Sequence, residues 1–379
     1  MNNKAIISFS FLVLGLLLLQ GCKDGSSNAI ATGKPVEFKY ASNIKMEDHD
    51  GFSLVEIRNP WDTLKTLQRL ILLDHGEKIP VGFEDATVIT VPLEKSVVYS
   101  SVHNSLISEL GAVEAIAGIC DKDYIVDEKV KTGLQAGKID DCGNSMSPNV
   151  ERIIKLSPDA VLLSPYENGG GEAKITKVGI PIVECADYME ASPLGRAEWM
   201  KFYGRLYGKA AEADSLFTVT ESEYDRLKNL AKESTTRPGV LFDRVYGQSW
   251  SVPGGKSTVG ILINDAGGKN PFDSYDVAGS VQLSPEKVAY EGGEADIWFI
   301  RYANTPLSLK SLKEEKPLYG LLKAYKEGNV YGSETIKTNL FDDQAFHPQW
   351  VLQDMIRIIH PEIEIRNGKT YFEKLKDAN

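Results

Sequence analysis

The sequence predicts an α/β fold: two lobes with mainly parallel sheets, joined by a long interdomain helix and preceded by an N-terminal β extension. Three observations carry this. From Ser96 onward, short apolar runs alternate with helical patterns, as in parallel strands covered by helices on both faces. One unit also recurs on either side of a central stretch. It is a helix opening with Glu and a basic residue, then an Asp leading a buried strand, around Glu151 and Asp159 and again around Glu286 and Asp296. Finally, Trp199, Tyr203, Leu206, Ala210, Ala213, Phe217, Tyr224, Leu227 and Ala231 recur at three- and four-residue steps, the period of one buried helix face.

At 379 residues the chain is long enough for two cores rather than one. A content of 42% hydrophobic and 25% charged residues is that of an ordinary globular protein. The net charge of −11 argues against general nucleic-acid binding, which needs a basic face to neutralise phosphates.

Residues 1–21 read as a lipoprotein signal. Lys4 precedes an apolar run over 5–19, and Gly21 stands before Cys22, so cleavage would leave Cys22 as the lipidated first residue. The alternative, an uncleaved membrane anchor, has only about 15 apolar residues where a span needs about 20. The protein is therefore placed in the cell envelope, lipid-anchored on the periplasmic side or the surface. Residues 22–35, rich in Gly, Ser, Asn and Lys, form a flexible tether.

The N-terminal lobe with its β extension occupies 36–191. Apolar runs at 52–57 and 67–73 read as short strands of the extension. Strands at 97–99, 115–119, 159–164 and 180–183 alternate with helices at 102–110, stopped by Gly111, and at 150–156, capped by Pro148-Asn149 and ended by Ser157-Pro158. The strut covers 192–235. Ser192-Pro193 supplies an N-cap and a Pro at the first helical position, and Pro238-Gly239 lies beyond the far end. Gly204 and Gly208 divide it into a short helix and a long one, the latter reaching roughly 40 Å. The C-terminal lobe, 236–379, repeats the pattern. It has strands at 240–242 and 296–300, helices at 259–266 and from 283 onward, and an amphipathic helix at 350–359 before His360-Pro361.

Signals for catalysis mostly fail. Gly254-Gly-Lys-Ser-Thr258 suggests a phosphate loop, but the pattern needs Gly where Trp250 stands, and a loop into a helix starting at Ser257 explains it better. Gly247-Gln-Ser249-Trp-Ser251 lacks the second Gly of a nucleophile elbow. The five histidines are scattered. Cys120, Cys142 and Cys185 form no zinc pattern, and either one disulfide, such as Cys120–Cys142, or three free thiols is open.

The residues gathered so far resemble the helical-backbone (class III) periplasmic substrate-binding proteins of ABC importers for ferric siderophores, haem and cobalamin. The carriers are Ser105-Leu-Ile-Ser-Glu-Leu-Gly111, Asn149-Val-Glu-Arg-Ile-Ile-Lys-Leu-Ser-Pro-Asp-Ala-Val161, Leu194-Gly-Arg-Ala-Glu-Trp199, Leu262-Ile-Asn-Asp-Ala-Gly-Gly268 and Leu283-Ser-Pro-Glu-Lys-Val288. The resemblance implies a monomeric, lipid-anchored binding protein that takes up a metal chelate and passes it to a membrane permease. It implies no enzyme activity and no resident cofactor. It also implies that one glutamate on each lobe, Glu151 and Glu286 by position, docks onto permease arginines. A carboxylate in a helix's first turn is in any case favoured by the helix dipole.

Loops leaving the C-terminal ends of parallel strands line ligand crevices in open sheets. That rule selects Tyr99, Ser100 and Tyr166 in the first lobe, and Arg244, Tyr246, Trp250, Arg301 and Tyr302 in the second, with Phe341 joining from near the C-terminus. Aromatics with arginines suit a large, flat, anionic chelate, through stacking and guanidinium–oxygen pairing. An iron complex, siderophore or haem, is the first expectation and a corrinoid the second. No position commits to a metal ligand. The alternative of another class is a secreted α/β hydrolase, which would need Ser or Asp within reach of a pocket histidine.

Overall fold

The computed structural model describes residues 33–166, 173–365 and 367–377. The signal, Cys22 and most of the tether lie outside the described residues. Among those described, no helix is long and apolar enough to cross a membrane.

The extension is a five-stranded sheet in the order β1-β2-β3-β4-β5, made of β1 (Lys34–Val36), β2 (Ile44–His49), β3 (Phe52–Arg58), β4 (Thr66–Asp74) and β5 (Thr87–Val91). β1 pairs with β2 from Lys34, so strand structure begins inside the stretch expected to be tether. Ile44, Met46, Val55 and Ile57 alternate inward and share a core with Trp199, Met200 and Phe202. The continuous apolar run of β4 is covered on both sides, since Leu70 and Leu72 join that core while Ile71 and Leu73 lie with Phe83. The extension is thus part of the first lobe's core.

Buried carboxylates fix its entry. Glu198 accepts hydrogen bonds from the backbone N–H groups of Lys39, Tyr40 and Ala41 at 2.9, 2.7 and 2.9 Å. Glu190 accepts from the N–H of Ser42 and Asn43 and from Trp199 Nε1.

The first lobe's second sheet contains β6 (Ser96–Val98), β7 (Ile116–Ile119), β8 (Asp140–Asp141), β11 and β12, separated in the chain by α1 (Ser101–Glu109), α2 (Glu128–Gln135), the hairpin β9 (Gly143–Asn144) and β10 (Ser147–Pro148), α3 (Val150–Leu156) and α4 (Ala173–Lys177). With β11 (Ala160–Leu163) and β12 (Ile182–Glu184), its order is β12-β11-β6-β7-β8, all parallel. Val98 and Leu162 face α1 and α2, whereas Val97 and Val161 face α3 and α4. The outer edge of β12 is closed by the Gln68 amide of β4, which donates to Ile182 O at 2.7 Å and accepts from Glu184 N at 2.9 Å. The cysteine alternatives resolve to three free thiols, all buried. Burial pushes the Cys142 thiol up to about 11, so it stays protonated and unreactive.

The strut is α5 (Pro193–Glu198), α6 (Met200–Leu206) and α7 (Ala210–Ala231). Ser192 caps α5 by accepting from Gly195 N, with Pro193 following it. The break falls at Gly208, whose φ of +64° is left-handed and suits glycine. α7 has 22 residues, about 33 Å, shorter than the pattern suggested because the helix ends at Ala231.

In the second lobe, β13 (Val240–Phe242) is followed by β14 (Val245–Tyr246), β15 (Ser249–Pro253), α8 (Thr258–Asp265), β16 (Ser280–Leu283), α9 (Pro285–Gly292) and β17 (Ile297–Tyr302). Then come α10 (Leu309–Glu315), α11 (Lys323–Lys326), β18 (Val330–Glu334), α12 (Thr335–Thr338), α13 (Leu340–Phe346), α14 (Pro348–Ile359) and β19 (Glu373–Lys374). The main sheet is β13-β17-β18-β19, parallel except for β19, and β14-β15-β16 form a small antiparallel sheet beside it. The suspected phosphate loop is packed: Ser257 caps α8 by accepting from Gly260 N, and a Cβ on Gly255 would lie 2.2 Å from Asp273 O. Apolar residues of α14 meet Tyr224, Leu227 and Ala231 of α7 in one core.

Candidate functional site

α1 starts directly beyond the C-terminal end of β6, and α13 follows β18 through α12, so contacts between α1 and α13 show where the two sheets point. Asp342 of α13 accepts from Ser101 Oγ at 3.1 Å and Ser105 Oγ at 2.5 Å of α1. One turn further along, His347 Nε2 lies 2.6 Å from Glu109 Oε2. The strand C-terminal ends of both lobes therefore border a shared interlobe surface, where ligands of open parallel sheets bind. A hollow of about 410 Å³ lined by Val113, Ile116, Thr132 and Ile139 lies instead at the strands' N-terminal ends.

On the first lobe, Tyr166 follows β11 and is 43% exposed. Beside it Tyr188, which follows β12, donates its hydroxyl to Pro165 O at 2.5 Å. Burial against this wall raises the Tyr188 phenol above its ordinary value. Ser100 is half-buried at the N-cap of α1, and its carbonyl accepts from Asn104 Nδ2 at 2.9 Å. Tyr99 is different: it is 5% exposed and belongs to the core with Val97, Cys120 and Ile153, so it turns away from the surface.

On the second lobe, Phe341 and Tyr246 are exposed at 48% and 91%. Arg301 sits close by, but Asp243 grips its guanidinium at 2.9 and 2.5 Å. The same group lies 5.2 Å from the Phe242 ring centre and 5.5 Å from that of Phe341. Asp243 takes a left-handed φ of +58°, pinned because its N–H donates to Phe299 O at 2.8 Å and its carbonyl accepts from Trp298 Nε1 at 2.6 Å. Arg244 is paired with Glu315. Neither arginine is the unpaired cation that an anionic chelate would require.

Two more expectations are corrected. Trp250 is fully buried among Trp298 and Tyr319, its Nε1 donating to Phe242 O at 3.1 Å. It is core because it sits on an inner position of β15. Tyr302 cannot stand beside Arg301, because successive strand residues face opposite sides of a sheet. It lies over Gly332, where a Cβ would come within 2.9 Å of its ring.

Glu151 is exposed in the first turn of α3, beyond the Asn149 cap, and Glu286 is exposed in the first turn of α9, beyond the Ser284 cap. Both helices lead directly into parallel strands, so their N-termini lie at the strand C-terminal side of each sheet. Among the described residues neither glutamate meets a cation at ion-pair distance.

Sequence reasoning missed a buried cluster behind the first-lobe wall. Asp187 accepts from Tyr203 Oη at 3.0 Å and Arg196 Nε at 3.1 Å, and lies 2.7 Å from His103 Nε2. Burial alone would raise its carboxyl, but His103 and Arg196 hold it at about 2. His103 Nδ1 meets no partner, so no nucleophile is aligned on this histidine as a hydrolase would need. Asp342 and Tyr188 were also missed, although the strand-end rule that selected Tyr166 applies equally to Tyr188.

A family model described as "Periplasmic binding protein" matches residues 97–334. An uncharacterized lipoprotein of Methanocaldococcus jannaschii is 29% identical, with 97% of this chain and 96% of that protein covered. The iron-uptake system-binding protein of Bacillus subtilis is 25% identical over 68% of this chain and 80% of its own length. Among solved structures, the periplasmic heme-binding protein RhuT from Roseiflexus sp. RS-1 in apo form superposes with a TM-score of 0.56. It is 21% identical, with 72% of this chain and 99% of that chain covered.

Proposed function

Because this chain belongs to the periplasmic binding protein family, whose members are substrate-binding transport proteins, we propose that it captures a metal chelate between its lobes and hands it to the permease of an ABC importer. The observation that supports this reading is the exposure of aromatics near strand C-terminal ends: Tyr166 and Tyr188 after β11 and β12, Tyr246 on β14 after β13, and Phe341 of α13 beside Arg301 at the end of β17. Such rings offer flat apolar area to a bulky ligand. Among the described residues no cluster of His, Cys, Asp or Glu is arranged to hold a metal ion.

An iron complex is the first choice, supported by the likeness to the iron-uptake binding protein of Bacillus subtilis. A corrinoid is the second, favoured by the pairing of Arg244 and Arg301 with carboxylates, which leaves aromatic and neutral groups to make the contacts. Glu151 and Glu286, free of ion pairs on the two lobes, are the docking carboxylates of this reading. Exposed carboxylates gain little until a cation meets them. The division at 36–191, 192–235 and 236–379 and lipidation at Cys22 belong to it as well, the latter in keeping with the lipoprotein relative.

The test is direct. The purified chain is titrated with ferric siderophores, haemin and cyanocobalamin while intrinsic fluorescence is followed. Binding of one of them at micromolar or lower concentration is expected, and binding of none overturns the proposal.

A further inference from the structure

Resting on that reading of the interlobe surface, we infer that the site selects chelates by charge: it takes a neutral or cationic complex and rejects a polyanionic one. The two arginines at the C-terminal ends of β13 and β17 are each matched by a carboxylate. Arg301 is held by both oxygens of Asp243, and Arg244 by Glu315. Lys122 meets Asp141 at 2.9 Å, Arg196 meets Asp187 at 3.1 Å and Lys337 meets Glu334 at 2.6 Å. Among the described residues Asp342 meets no cation at ion-pair distance and accepts from the hydroxyls of Ser101 and Ser105.

The two arginines are therefore charge-balanced, on a chain whose net charge is −11. A trianionic complex finds neither Arg301 nor Arg244 unpaired. To gain one it must displace Asp243 from Arg301, a bidentate charge-assisted pair with the guanidinium between two aromatic rings, and leave that carboxylate facing the incoming charge. A neutral or cationic complex meets the aromatic faces without this conflict. Asp243 and Glu315 are on this account positioning residues that hold the two arginines in reserve and set specificity by repulsion.

The experiment compares a neutral ferric trihydroxamate, cyanocobalamin and a trianionic ferric tris-catecholate as ligands of the full chain in detergent, by equilibrium dialysis. The neutral trihydroxamate or cyanocobalamin is expected to bind at least about 10-fold more tightly than the trianion. Asp243→Asn, which keeps a residue suited to the left-handed backbone and frees Arg301, should shift the ratio toward the trianion by about 10-fold. Glu315→Gln, which frees Arg244, should shift it the same way. A trianion bound as tightly as the neutral ligands by the unaltered chain overturns the charge rule but leaves chelate binding intact. A ratio unmoved in both variants overturns the role of the two carboxylates. Binding of no complex overturns the transport reading itself.

Discussion

Asp342 and Ser105 meet across the two lobes at 2.5 Å, with Ser101 completing the contact from the other carboxylate oxygen. Burial raises the Asp342 carboxyl above its ordinary value, and the two hydroxyls offset only part of that. A raised folded-state value means that the ionised form costs stability. The contribution is full below the unfolded carboxylate value, about 3.9, and is lost as pH rises through the folded value. Asp342→Asn, which can accept from one hydroxyl through Oδ1 and donate to the other through Nδ2, should therefore gain on the unaltered chain as pH rises from 4 to 8. Melting temperatures across that range would check this, and a pH-independent difference would contradict it. Asp342→Ala should cost about 1–3 kcal/mol by leaving both hydroxyls unpaired.

Asp187 shows the opposite sign. Its carboxyl is held at about 2 despite complete burial, so its stabilisation is present above the unfolded value of about 3.9 and lost as pH falls toward 2. Asp187→Asn should destabilise the protein by about 3 kcal/mol at pH 7, by stranding the buried charge partners. It should also flatten the loss of stability between about pH 4 and pH 2. Urea unfolding across that window is the measurement.

Glu190 gathers two backbone N–H groups and the Trp199 indole into one buried carboxylate. Glu190→Ala should cost about 3 kcal/mol, since hydrogen bonds to a charged group are worth more than neutral ones and their donors remain buried. Limited proteolysis should show new cuts near residues 39–43. An unchanged cleavage pattern would mean that the extension is held by its apolar face alone.

Phe341 presents its exposed ring beside the Arg301–Asp243 pair. Phe341→Ala should weaken chelate binding by about 5- to 10-fold, the range of a lost aromatic stack, without changing the melting temperature. Equal loss of affinity and of stability would move Phe341 from the ligand surface to the fold.

Glu151 and Glu286 are exposed, each in the first turn of its helix. Changing both to Ala should leave chelate affinity within about twofold, since neither glutamate has an ion pair to lose, and reduce uptake in cells by at least about 10-fold. A fall in affinity instead would place these carboxylates at the ligand.

The elements were readable because they obey local rules. The 3.6 period of the strut, the Asn149 and Ser284 caps and the buried strand runs need only neighbours in sequence. The site was readable only in part. The strand-end rule finds loops, but it does not say which way a side chain turns. Trp250 and Tyr99 satisfy the rule and are core, and Tyr302 lies across the sheet from Arg301.

The amino-acid sequence alone determined the α/β class, the division of strands by a long helix and the family, because periodicity, caps and motif order are properties of the chain as written. Only the tertiary structure decided what the arginines are for. Asp243 and Arg301 lie 58 positions apart, and Arg244 and Glu315 lie 71 apart. No local pattern reveals that a cation is already spoken for by a carboxylate brought from another strand or helix. Charge compensation depends on distance in space, and folding sets that distance.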